Sequence, residues 1–299
     1  MTRRRRRADG ATMDDAPRFY ERWGLNVETY DDRTQQEWTR VEEDVAFFIR
    51  YAEKIGGPIL ELGAGTGRVS WALAEAGFEV VGLDLSEPMI QHANAKRSHR
   101  DRVVGERVAF VQGTMADFRL DRSFRLVIIP YRAFQSLITP AEQRRCLTCI
   151  HRHLEPEGWA IVDLFDPRLE LCHPGVGDAR IKLNEVRHPV TGNTVKVEML
   201  GRQNDPVHQV LTERHRFTEV ASWGRVVRKE DRILKLRWTY RYEMRYLFEL
   251  TGFEVVSEFS DFNGSPPDYG KEQLWVVRKG RAGPVGPPPG QDGDGEMAS

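Results

Sequence analysis

One stretch limits what this chain can fold into: Ile59-Leu60-Glu61-Leu62-Gly63-Ala64-Gly65-Thr66-Gly67-Arg68. An apolar run, preceded by Gly56-Gly57-Pro58, ends in an acid and then in glycines at every second position. From Val69 to Ala76 the apolar residues recur at helical spacing. The pattern predicts a buried parallel strand, a tight turn and a helix start. Glycine reaches dihedrals closed to other residues and lets bare backbone N–H groups approach a ligand. The helix N-terminus behind the turn favours a negative group, phosphate or carboxylate.

Two ligand classes use such a turn. Dinucleotide folds read G-x-G-x-x-G, with an extra residue before the third glycine. This chain reads G-x-G-x-G behind Glu61, then Phe78-Glu79-Val80-Val81-Gly82-Leu83-Asp84, a second strand ending in an acid 17 residues after Gly67. An acid at that edge can accept hydrogen bonds from both hydroxyls of a ribose, in either ligand class. The glycine motif resembles the first motif of class I S-adenosylmethionine-dependent methyltransferases. The resemblance implies an α/β fold: a Rossmann-like, doubly wound, mostly parallel seven-stranded sheet that binds S-adenosylmethionine. It further implies that Glu61, Gly63, Ala64, Gly65 and Gly67 border the cofactor, with Asp84 on its ribose and Leu85 and Met89 against its adenine. Tyr30, in the segment before the first strand, is the candidate for a lid over the cofactor, and a tyrosine packed between two helices is the other reading.

Beyond Asp84 the alternation of strands and helices continues, the sign of a parallel sheet with crossovers. Ser86 is placed to cap a helix with Pro88 in its first turn. After the third strand, Val108 to Gly113, the family usually reads Gly-Asp-Met, and Thr114 stands here in the acid's slot before Met115. A hydroxyl can still accept one hydrogen bond from the adenine amino group. The fourth strand, Phe124 to Ile129, ends at Pro130-Tyr131-Arg132-Ala133-Phe134-Gln135. Ligands of open α/β sheets bind beyond the carboxyl ends of the strands. Pro130 and Tyr131 are therefore expected beside the methyl donor, and Tyr131 and Gln135 beside its acceptor. The Asn/Asp-Pro-Pro-Tyr signature of enzymes that methylate base amines or glutamine is missing.

A helix opens at Thr139-Pro140 and contains Cys146-Leu147-Thr148-Cys149-Ile150-His151-Arg152-His153. The spacing invites a zinc reading, but Cys and Leu in such positions equally suit a helix packed on a sheet; no metal is expected. Glu155 to Gly158 reads as a turn before a fifth strand, Trp159 to Phe165. From about residue 180 to 240 the pattern is strands and turns only, which predicts four antiparallel strands inserted after the fifth strand. On the last, taken as Val226 to Tyr240, residues Leu234, Leu236, Trp238, Tyr240 and Tyr242 fall on one face and Lys235, Arg237, Thr239 and Arg241 on the other. Trp238 and Tyr240 are the candidates to line an acceptor site. A sheet packed on the core, or on a second copy as a homodimer, fits the same pattern.

The expected organisation is a disordered basic tail (1–16), a helical lid (17–56), the cofactor-binding core (57–170), the β insert (171–240), a helix and strand pair completing the core (241–279), and a disordered tail (280–299). With 299 residues, 40% apolar, the chain can bury a sizeable core. A net charge of −1 argues against nucleic acid as a partner, and three cysteines make no disulfide framework. No apolar run reaches the roughly 20 residues of a membrane span, so a cytoplasmic protein is the expectation. The function these features favour is methyl transfer to a nitrogen or oxygen of a small molecule, nitrogen before oxygen. A macromolecule methyltransferase docking through Arg3 to Arg7, and a non-catalytic cofactor-binding protein, are the alternatives. His173, Asp163, Asp166, Tyr131 and Gln135 lie near the right strand ends, but no pair at fixed spacing picks out a catalytic base.

Overall fold

The computed structural model describes residues 19–35, 41–173, 181–281 and 283. The basic arm and nearly all of the C-terminal tail lie outside them. Two short helices, α1 (Leu25–Glu28) and α2 (Tyr30–Thr34), precede the long helix α3 (Val41–Ile55). The core then alternates: β1 (Ile59–Leu62), α4 (Arg68–Glu75), β2 (Val80–Asp84), α5 (Glu87–Ala95), α6 (Arg102–Glu106), β3 (Val108–Gln112), β4 (Phe124–Ile129), α7 (Pro140–His153) and β5 (Leu154–Phe165). An antiparallel run follows, β6 (Ile181–Arg187), β7 (Thr194–Asp205), β8 (Val210–Val220) and β9 (Val226–Arg237). The chain closes with α8 (Arg241–Leu250), β10 (Phe253–Phe259) and β11 (Glu272–Lys279).

One sheet has seven strands, as the resemblance implied, in the order β10-β11-β5-β4-β1-β2-β3; the second has the four inserted strands expected from the sequence, in the order β6-β7-β8-β9. β1 pairs in parallel with both β2 and β4, so the chain reverses its direction of travel across the sheet at β1. That reversal opens the crevice in which such folds hold ligands. Every residue of β1 is buried, as expected of a central strand covered on both faces. One apolar cluster, with Leu60, Leu62, Val127, Phe248 and Trp275, fills one face. The other, with Phe47, Phe48, Trp71, Ile128 and Val276, fills the opposite face.

Two elements differ from expectation. Glu155 to Gly158 does not separate helix from strand: Leu154 already pairs with Phe124, and Trp159 with Leu126, so the four residues form a bulge inside β5. β9 stops at Arg237 instead of Tyr240. Trp238 N–H still reaches the Gln209 carbonyl (2.9 Å), but Tyr240 caps α8, its N–H bonded to the Glu243 carboxylate (3.2 Å). An acid three residues into a helix satisfies an orphan N–H at the cap, and that local gain turns the chain out of the sheet. Tyr240 and Tyr242 therefore do not share a strand face with Leu234. Arg237 and Thr239, read as part of a polar face, are buried: Arg237 donates to Gln143, Thr239, Gln209 and Glu243.

Candidate active site

The parallel strands bring the ends of β1, β2 and β4 to one edge of the sheet. The turn after β1 is held internally. Gly63 and Ala64 N–H groups donate to the Leu83 carbonyl (2.8 and 3.1 Å), and Gly67 N–H to the Ala64 carbonyl (2.8 Å). Gly65 N–H donates to Asp84 Oδ2 (2.8 Å) and Ser86 N–H to Asp84 Oδ1 (2.8 Å). The amides of Gly63, Ala64, Gly65 and Gly67 are thus spent inside the protein. What the turn offers a ligand is room. Gly65 lies at φ +55°, and a Cβ built on it would meet nothing within 4 Å. Beside that opening each Asp84 oxygen keeps a lone pair for a hydroxyl. Burial pushes its carboxyl above the ordinary value, against the two backbone donors.

Glu61 is engaged inside the protein. It is buried in β1 and accepts from the Ser70 hydroxyl of α4; burial raises its carboxyl to about 7, opposed by that bond and by Arg68. Leu85 is open to solvent next to Asp84, while Met89 is packed away in the first turn of α5. Thr114 uses its hydroxyl locally, accepting from Ala116 N–H (3.2 Å). Met115 reaches to within 3.2 Å of where a Gly63 Cβ would stand. The Pro130 carbonyl accepts from Ala133 N–H (3.1 Å). Tyr131 and Arg132 follow with φ of +50° and +63°. Two successive left-handed residues with full side chains are costly and concentrate at functional sites. The Tyr131 ring, half-exposed, lies under the Arg68 guanidinium (5.9 Å), which pairs with Asp44 (2.5 Å).

Residues 19–34 form a strap across this edge. Tyr30 packs edge-on against Tyr20 (5.8 Å), and Tyr20 and Tyr131 are both close enough to raise the Tyr30 phenol further after burial has raised it. Asp31 fastens the strap to the core: its carboxylate accepts from Thr66 Oγ1 in the glycine turn (2.6 Å) and meets Lys96 (2.6 Å) and His92 (3.1 Å). Ser86 Oγ donates to the Tyr20 carbonyl (2.7 Å). The strap's other side faces the four-stranded sheet. Phe19 and Leu25 join Val186, Val195, Val197 and Phe217 in one apolar cluster. Glu28 bridges His188 (2.8 Å) and Arg228 (2.6 Å).

The remaining residues singled out from sequence are engaged as follows. Gln135 is fully buried, its Oε1 accepting from Phe165 N–H (3.1 Å) and its Nε2 without a partner. Trp238 is likewise buried with Nε1 unpartnered, and Tyr240 is half-exposed at the cap of α8. Asp163 is buried with Oδ1 unpartnered; burial, then Glu272, hold its carboxyl well above the carboxylate range. Asp166 is engaged by Gly270 N–H and Gln273 Nε2 (both 2.8 Å). Cys146 and Cys149 are buried, and His153 is spent on the Cys149 carbonyl (2.8 Å) and Leu120 N–H (3.0 Å). Among the described residues no group of three or more His, Cys, Asp or Glu could hold a metal ion. No helix among them is long and apolar enough to cross a membrane. Sequence reading passed over Tyr20, Asp31, Arg33 and Thr66. Their one local signal is an acid and a cation two apart behind Tyr30.

An open left-handed glycine flanked by a two-oxygen acceptor at the next strand end fits an adenosyl ligand. The chain belongs to the class I S-adenosylmethionine-dependent methyltransferases, and S-adenosylmethionine is its cofactor. Residues 59–158 match a family model described as a methyltransferase domain. The cypemycin N-terminal methyltransferase of a Streptomyces species is 30% identical over 229 residues, 74% of this chain and 82% of that protein. Among solved structures, the CcbJ methyltransferase from Streptomyces caelestis superposes with a TM-score of 0.65 at 25% identity, covering 80% of this chain and 90% of that one. CalS10, an amino pentose methyltransferase from Micromonospora echinaspora solved with S-adenosylmethionine, superposes with a TM-score of 0.61 at 22% identity over 87% and 98%.

Proposed function

We propose that the chain methylates an amine nitrogen of a small natural-product acceptor, an amino sugar or the terminal amine of a peptide. Bound S-adenosylmethionine supplies an electrophilic methyl group. The chain's residues then have to place a nucleophile and keep water away. Asp84 and the space over Gly65 hold the adenosyl end. Tyr20, Tyr30 and Tyr131 border the opening from the strap and the end of β4.

The observation that favours nitrogen is the engagement of the acids at this edge. Asp84 takes two backbone donors, Asp166 a backbone and a side-chain donor, and Asp31 three partners. Burial, then Glu272, raises the Asp163 carboxyl well above the ordinary carboxylate range. An alcohol acceptor needs a base as it reacts, whereas an amine that reaches the site neutral does not. The names of the relatives, an N-terminal methyltransferase and an amino pentose methyltransferase, support the same reading. Further support for a cytoplasmic enzyme without a nucleic-acid partner is the near-neutral net charge. The test is methyl release from labelled S-adenosylmethionine against amino sugars, short peptides and phenols. Turnover of amines with a rate rising through the amine's own pKa is expected. Turnover confined to phenols or alcohols would contradict it.

A further inference from the structure

Three arginines border the opening near the strand ends. Arg68 pairs with Asp44 and Arg132 with Glu272 (2.6 Å). Arg33 of the strap does not pair. Its Nε donates to Thr29 Oγ1 (3.3 Å) and its Nη2 to the Asn26 carbonyl (2.6 Å), both neutral. No carboxylate is within ion-pairing distance of it among the described residues. Its guanidinium lies between the rings of Tyr30 (5.8 Å) and Phe217 (5.2 Å), with Tyr20 and Tyr131 near enough to act on its charge. Burial lowers its pKa from the ordinary value, and the surrounding phenols and the more distant Asp31 carboxylate, which makes no ion pair with it, offset that only in part.

The nearest acid in sequence, Asp31, is spent elsewhere. Two positions apart on a helix is a rotation of about 200°, so Asp31 faces the glycine turn and α5 while Arg33 faces the insert sheet. Stacked on Phe217 of β8, the guanidinium stands on the insert's side of the strap. A half-buried cation without a counter-charge is costly unless a ligand brings one. Guanidinium pairs with carboxylate or phosphate in a planar, two-bond geometry.

We propose that Arg33 is the receptor for an anionic group, carboxylate or phosphate, carried by the methyl acceptor, with Tyr20, Tyr30, Tyr131 and Phe217 as its walls. This rests on the methyltransferase reading. It makes the acceptor an amine bearing a negative charge, such as an amino acid, a peptide with a nearby carboxylate or a phosphate-linked amino sugar. The cofactor's own carboxylate has the same chemistry, so the test must separate the two sources.

Inorganic phosphate is titrated calorimetrically into the full chain saturated with S-adenosylhomocysteine, for the wild type, Arg33→Met and Arg33→Lys. Phosphate is expected to bind the saturated wild type, and Arg33→Met to weaken it at least tenfold, the scale of a charge-assisted pair. Affinity for S-adenosylhomocysteine should stay within about twofold in Arg33→Met, and Arg33→Lys should retain phosphate binding in part, showing that charge and not folding is at issue. If the saturated wild type takes no phosphate while Arg33→Met loses S-adenosylhomocysteine tenfold, the guanidinium serves the cofactor and the proposal falls. Phosphate affinity unchanged in Arg33→Met also overturns it. Failure of the wild type to bind S-adenosylhomocysteine at all would strike the methyltransferase reading itself, a distinguishable result.

Discussion

The cofactor edge of the core and the inner face of the insert are both buried, but they are built on opposite principles. Around β1 the packing is apolar on two faces, and Asp84 at the edge is held by the backbone N–H groups of Gly65 and Ser86. The insert has one small apolar cluster, shared with the strap, and beside it buried charges are set against one another. Glu213 binds His215 (2.7 Å) and Arg202; Glu230 takes Arg232 (2.7 Å) and Leu25 N–H (3.2 Å); Glu28 takes His188 and Arg228. The core edge is therefore rigid by burial, whereas the insert is fastened through the strap by pairs that salt and acid can loosen.

Glycines separate the two regions most sharply. Gly65 in the core turn and Gly192 in the hairpin between β6 and β7 both have positive φ, +55° and +68°, with open space where a Cβ would go. Valine at either should cost about 1–3 kcal/mol of backbone strain. Only Gly65→Val should abolish cofactor binding, because only there is the empty space a ligand site. Calorimetric titration of both variants checks this. Equal effects on S-adenosylmethionine affinity would erase the distinction.

Core truncations come next in size. Trp71 of α4 and Phe217 of β8 are fully buried, and alanine at either should cost about 3–5 kcal/mol. Trp71→Ala should lower the global melting temperature. Phe217→Ala should instead raise hydrogen exchange in the strap and the insert, with β1 and β4 still protected. Uniform exchange in both variants would show that the insert is as deeply integrated as the core.

The pH response should have opposite sign in the two regions. Burial raises Glu61 to about 7, so the folded state binds more protons than the unfolded one between the ordinary value of 4.5 and 7. Stability then falls as pH rises through that window, by on the order of 3 kcal/mol, and is flat above it. Glu61→Gln should remove this slope in denaturant titrations of the cofactor-free protein. In the strap, burial raises Glu28 but the bonds from His188 and Arg228 outweigh it and leave its carboxyl below the ordinary value. Its stabilisation is complete above 4.5 and is lost as pH falls through the lowered folded value. Glu28→Gln should cost about 1.5–3 kcal/mol at pH 7 and less at pH 3. A Glu28 variant with the same deficit at both pH values would show that the pair does not hold the strap.

The core was legible because its signals are local. Strand, turn and helix lie within 59–76, and Asp84, the proposed ribose acceptor, ends the next strand. The insert's strands were legible from turns such as Pro189-Val190-Thr191-Gly192-Asn193. The strap's double role was not, because Asp31 meets Thr66 35 positions away and Arg33 meets Phe217 184 positions away. The end of β9 was misjudged for a different reason. Leu234, Leu236 and Trp238 alternate as a strand should, and the pattern runs on into Tyr240, where Glu243 already signals a helix cap. Arg237 reads as a solvent residue because its partners, buried Gln143 of α7 and part-exposed Glu243 of α8, come from elsewhere in the chain.

If the core edge is where the cofactor binds and Asp84 is the ribose acceptor, the titration of S-adenosylmethionine into Asp84→Ala is the most direct measurement. Losing a charge-assisted pair of hydrogen bonds should weaken affinity about ten- to a hundredfold, with the fold intact by circular dichroism. Wild-type affinity in a folded Asp84→Ala protein would place the cofactor elsewhere and contradict the assignment.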